Sequence, residues 1–104
     1  MNGHRSSEET VPPPSALDIG MDHFLQLAEW KGEEAGVNEW HRNKAGAWCR
    51  GWVPFNGSPW VTSFNGAVVG WDVVQREPLT LTPSILCRTC GSHGFVTNGK
   101  WVPA

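Results

Sequence analysis

Tyrosine is absent from the 104 residues, cysteine occurs only 3 times, and lysine plus arginine number only 8. Each shortage excludes something. An odd cysteine count cannot close a set of disulfides, so a bridged secreted scaffold is a poor reading. Eight basic residues against 10 acidic ones give a formal charge of −2. That balance leaves no basic footprint for phosphates and argues against a nucleic-acid partner. No apolar run approaches the roughly 18–20 residues of a membrane span, and Met1 to Ser15 lacks a signal-peptide core. A cytoplasmic protein, with no membrane association, is the expectation.

What the chain does have is 12 Gly, 8 Pro, 7 Trp and 4 Phe. So many breakers argue against long helices, and the aromatics supply the large buried area that a small core needs. Residues 1–16 are polar and carry Pro12, Pro13 and Pro14, so they read as a disordered tail ahead of a single domain over 17–104. Leu17, Met21, Phe24, Leu25 and Ala28 fit a helical stripe with Ser15 as its cap. A short helix is therefore expected between Leu17 and Trp30, although His23, Leu25 and Leu27 also fit an alternating strand. Lys31 to Asn38 reads as a loop.

Beyond Glu39 the pattern turns to strands. Ala47–Phe55, Trp60–Phe64, Ala67–Gln75, Leu79–Thr82, Gly94–Thr97 and Lys100–Pro103 are short apolar or alternating runs. Asn56-Gly57, Asn65-Gly66 and Asn98-Gly99 punctuate them, and the last dipeptide suits a two-residue hairpin. The fold class is thus mainly β, a small antiparallel sheet of zinc-ribbon type with one short N-terminal helix.

The chemistry concentrates in Cys87-Arg88-Thr89-Cys90-Gly91-Ser92-His93. A C-x-x-C turn converges two sulfurs on one point, and glycine follows where such turns need positive φ. Adding His93 and the distant Cys49 makes three thiolates and one imidazole, a complete tetrahedral shell for structural zinc. A redox dithiol would sit between strand and helix, whereas Gly91 to Val96 runs into a strand. His41 is the alternative fourth ligand. A four-residue loop would pair it with Trp48, leaving Cys49 on the opposite face; a shift of one residue would pair it with Cys49 itself. His4 and His23 have no such spacing.

Glu77 to Leu86, Cys90 to Val96 and Asn98 to Trp101 resemble the C-terminal motif of an uncharacterised family of small phage and prophage proteins. Its members carry a Leu-x-Pro-Ser-Ile strand, a Cys-x-x-His step and an Asn/Asp-Gly-Lys/Arg turn. The resemblance implies a β-rich, zinc-binding domain. With the acidic balance, it points to a non-catalytic, zinc-stabilised accessory protein that binds a host or phage protein. The alternatives are a small zinc-dependent enzyme, or a sugar- or single-strand-binding module lined by Trp40, Trp48, Trp52 and Trp60.

Overall fold

Pairs of positive-φ residues set the hairpins: Met21-Asp22, Lys31-Gly32 and Asn98-Gly99, with φ between 50 and 81°. Such two-residue turns match the right-handed twist of the strands on either side. In a computed structural model, residues 5–6, 11–57, 62–64 and 67–104 are described. The Asn65-Gly66 turn, His4 and Trp60 lie outside the described residues, as does half of the segment read as a tail.

The strands are β1 (Arg5–Ser6), β2 (Leu17–Gly20), β3 (His23–Trp30), β4 (Glu33–Arg42), β5 (Trp48–Pro54), β6 (Thr62–Phe64) and β7 (Ala67–Val69). They continue with β8 (Asp72–Gln75), β9 (Thr80–Thr82), β10 (Ile85–Leu86), β11 (His93–Thr97) and β12 (Lys100–Pro103). One antiparallel sheet has the order β1-β5-β4-β3-β2, a second has the order β10-β11-β12, and β6-β7 and β8-β9 form separate pairs.

Mainly β is therefore correct, but the N-terminal helix is not. Leu17 to Trp30 forms β2 and β3, because Met21 and Asp22 take left-handed backbone at φ 55° and 59°, which breaks any helical stripe. The strand competitor won: His23 and Leu25 alternate inward. Ser15 caps no helix; its hydroxyl accepts a hydrogen bond from Gln26 at 2.7 Å. Lys31 to Asn38 is not a loop either. Only Lys31 and Gly32 turn, and β4 starts at Glu33.

Val37, Val53, Leu25 and Ile19 of the large sheet meet Ile85, Val96 and Trp101 of the small one in a single apolar cluster. Trp101 stacks flat on His23, with centroids 3.8 Å apart and an 11° tilt. Gly94 lies directly beneath that indole. A Cβ there would sit 2.6 and 2.7 Å from the Trp101 ring and 2.7 Å from the Val102 carbonyl. The ring is clamped between His23 and β11 and cannot retreat. Gly94→Ala is expected to destabilise the protein by about 1–3 kcal/mol, the usual cost of overpacking, measured as a lower denaturant midpoint with an unchanged slope.

Candidate functional site

The β4–β5 hairpin fixes the first half of the site. Its loop closes so that His41 pairs with Cys49 and Arg42 with Trp48, the shifted register rather than the four-residue one. Asn43 holds that loop: its side-chain oxygen accepts from the amides of Ala45 and Ala47, each at 3.0 Å. His41 and Cys49 consequently lie on the same face, both buried.

The second half is the knuckle between β10 and β11. The Gly91 amide donates to the Cys87 carbonyl and the Cys87 amide to the Ser92 carbonyl, both at 2.8 Å. Gly91 has φ +80°, as a knuckle requires. The turn carries Cys87 and Cys90 over the His41–Cys49 pair.

His41, Cys49, Cys87 and Cys90 thereby present one nitrogen and three sulfurs, all within 4.8 Å of one another. The histidine that joins the three cysteines is His41, with Nε2 3.2 Å from the Cys90 sulfur. His93, the first choice from sequence, does not belong to this group. It begins β11 beyond the knuckle, and its ring projects to the opposite, exposed face. Among the described residues there is one C-x-x-C knuckle, and the other two donors come from paired strands.

Burial pushes the Cys49 thiol up to about 12, helped by the neighbouring Cys87 and Cys90. Burial also raises Cys87. For Cys90 desolvation pulls upward, but the Ser92 amide, His41 and Cys87 outweigh it and hold the thiol below its ordinary value.

Behind the thiols lies a group that the sequence did not reveal. Glu39, fully buried, accepts from His23 Nδ1 at 2.8 Å and from His41 Nδ1 at 2.9 Å. Burial lowers the affinity of His41 for a proton, but Glu39 and Cys90 reverse this and leave its pKa raised. The carboxylate fixes the imidazole so that Nδ1 faces Glu39 and Nε2 faces the sulfurs.

His93 Nε2 instead lies 2.7 Å from Ser84 Oγ. Ser84 directly precedes β10 and His93 starts β11, so the two residues stand on the two legs of the hairpin whose tip is the knuckle. The Trp71 indole N–H donates to the Ser84 carbonyl at 3.3 Å, tying that leg to the core. Among the described residues no carboxylate pairs with His93. With the imidazole in the Nδ1–H tautomer, the Ser84 hydroxyl donates to Nε2, the arrangement that activates a serine as a nucleophile. Sequence reasoning quoted Pro83-Ser84-Ile85 as a motif and missed its chemistry.

Of the four tryptophans read as a platform, Trp60 lies outside the described residues and Trp52 is half-buried. Trp40 is buried, and the Arg42 guanidinium covers Trp48 at 4.6 Å. Among the described residues no helix is long and apolar enough to cross a membrane.

Residues 41–104 match the model of a protein family described as bacterial ubiquitination-like system serine protease, BubE. Comparison with curated proteins and with solved structures found no match. The family match overturns the reading of a non-catalytic accessory protein, because the description is of an enzyme. It also replaces the expected phage and prophage zinc-binding family. The matched span starts at His41 and contains every residue of the thiol cluster and of the Ser84–His93 pair.

Proposed function

The chain belongs to the BubE family of bacterial ubiquitination-like system serine proteases, and from that premise we propose that it is a peptidase using Ser84 as nucleophile and His93 as general base. The observation that carries the reading is the 2.7 Å contact between Ser84 Oγ and His93 Nε2. His93 takes the hydroxyl proton as Oγ attacks the scissile carbonyl. It then returns that proton to the leaving amine, which departs as the acyl-enzyme ester forms. A water, deprotonated by the same nitrogen, hydrolyses the ester and restores the hydroxyl. The substrate class suggested by the family description is a ubiquitin-like protein or its conjugates. That protein is the expected partner, in place of a host or phage protein.

His41, Cys49, Cys87 and Cys90 fit a structural zinc. Their spread of 4.8 Å or less suits a tetrahedral shell with Zn–S bonds of about 2.3 Å. A dication would also offset the charge of three crowded thiolates. Bound there, the metal supplies a cross-link between the β4–β5 hairpin and the knuckle, and four protein ligands leave no position for substrate. The hairpin then presents Ser84 and His93 in a fixed register. Glu39 acts as the carboxylate partner of a ligand histidine, so Glu39→Gln is expected to weaken zinc binding about 10–100-fold, read by competition with a chromophoric chelator.

The test of the function uses the zinc-loaded protein and a ubiquitin-like protein carrying a C-terminal extension. Cleavage by the wild type, seen as a shortened product by intact mass, and no cleavage by His93→Ala are expected. Cleavage by His93→Ala at the wild-type rate would overturn the reading.

A further inference from the structure

Along β10, β11 and β12 the inward residues are Ile85, Gly94, Val96 and Trp101, all buried. The alternate residues face out. Leu86 pairs with His93 and Phe95 with Val102, while Ile85 opposite Gly94 carries the register on so that Ser84 falls opposite Phe95. Ser84 and His93 therefore share one sheet face with three apolar side chains that remain open to solvent: Leu86 at 43%, Phe95 at 39% and Val102 at 43% exposed. Directly opposite neighbours on such a face stand about 4.5–5.5 Å apart and diagonal ones about 7–8 Å, within reach of an aromatic side chain. Phe95 therefore adjoins Val102 directly and Leu86 diagonally, beside the reacting pair.

We propose that this platform is the specificity surface of the peptidase, seating an extended polypeptide that carries a bulky apolar side chain next to the scissile carbonyl. The inference rests on the assignment of Ser84 and His93 as the catalytic pair. The occupant follows from the position of the pair. A carbonyl attacked by Ser84 Oγ places the flanking substrate residues over Leu86, Phe95 and Val102, and water leaves all four surfaces on contact. Two cavities among the described residues, of about 260 and 300 Å³, are lined by other residues, Leu17, Leu25 and Leu79 in one and Arg42, Lys44 and Cys90 in the other. His93 is exposed and Ser84 half-buried on the outer sheet face, an accessible position that suits a polypeptide. An extended chain repeats its side chains every second residue, at about 6.6 Å, the spacing that separates His93 from Phe95 along β11.

The experiment compares internally quenched peptides that differ only in having Leu or Gln beside the scissile bond. The wild type is expected to favour Leu by about 10–100-fold in kcat/KM, the range that hydrophobic pockets achieve. Phe95→Gln and Val102→Gln should bring the ratio towards one, Phe95→Leu should restore most of it, and labelling of Ser84 by a small fluorophosphonate should stay within about threefold of wild type in all three. A ratio near one in the wild type, or a ratio unchanged in both Gln variants, overturns the specificity surface while leaving the catalytic pair standing. A dimer in sedimentation that dissociates in Phe95→Gln would show a second copy of the chain as the occupant, and overturns it too. Cleavage without labelling of Ser84 would instead refute the underlying assignment.

Discussion

Ser84→Ala is expected to lower kcat/KM by at least about 10³-fold, because it removes the hydroxyl that lies 2.7 Å from His93 Nε2. Loss of a serine nucleophile or its histidine costs about 10⁶-fold in well-studied serine proteases, and removing both costs little more than removing one. His93→Ala and the double variant should therefore fall to a similar floor. The fold should scarcely notice. The hydroxyl contributes one solvent-exposed hydrogen bond to His93, worth about 0.5–1.5 kcal/mol at most. The Trp71 indole binds the Ser84 backbone carbonyl, which alanine retains. A rate collapse with a melting temperature changed by only a few degrees is the signature, measured by progress curves and thermal unfolding on the same preparations. A comparable loss of stability and rate would instead mean that Ser84 is structural.

Metal removal should act in the opposite way, on stability first. Structural zinc contributes about 10–16 kcal/mol in small zinc-finger peptides, as much as the whole stability of a typical domain. Purified protein is expected to hold about one zinc per chain. Cys49→Ser, or a strong chelator, should abolish cooperative unfolding or lower the melting temperature by more than about 15 °C. Cys49 and His41 are buried beneath the knuckle, so stripping the ion leaves crowded polar groups facing each other. Replacing zinc by cobalt should keep the fold and leave the peptidase rate within a few-fold, because the shell is closed by four protein donors. A tenfold or larger change in rate with an unaltered fold would contradict that assignment.

Particular residues show what was legible from sequence. Asn98-Gly99 could be read because its turn needs positive φ at both positions, and the fold has φ 50° and 72° there. Cys87, Cys90 and Gly91 could be read because a knuckle is a local geometry. The choice between His41 and His93 could not, because it depended on the length of the loop from Asn43 to Ala47, which the Asn43 side chain decides. Met21-Asp22 hid a hairpin, since neither residue is glycine and the flanking apolar positions fit two periods. Glu39 gave no signal: a carboxylate in a strand reads as solvent-facing until two histidines are seen to satisfy it. Ser84 was hidden in Pro83-Ser84, a common turn dipeptide, and became chemical only when the β10–β11 register brought it to His93.

The most direct test of serine catalysis is mass mapping of the zinc-loaded protein after reaction with a fluorophosphonate. A single adduct on the peptide carrying Ser84, absent in His93→Ala and in protein unfolded beforehand, is the predicted result. An adduct on a different serine, or an unmodified protein that still cleaves its substrate, would contradict it.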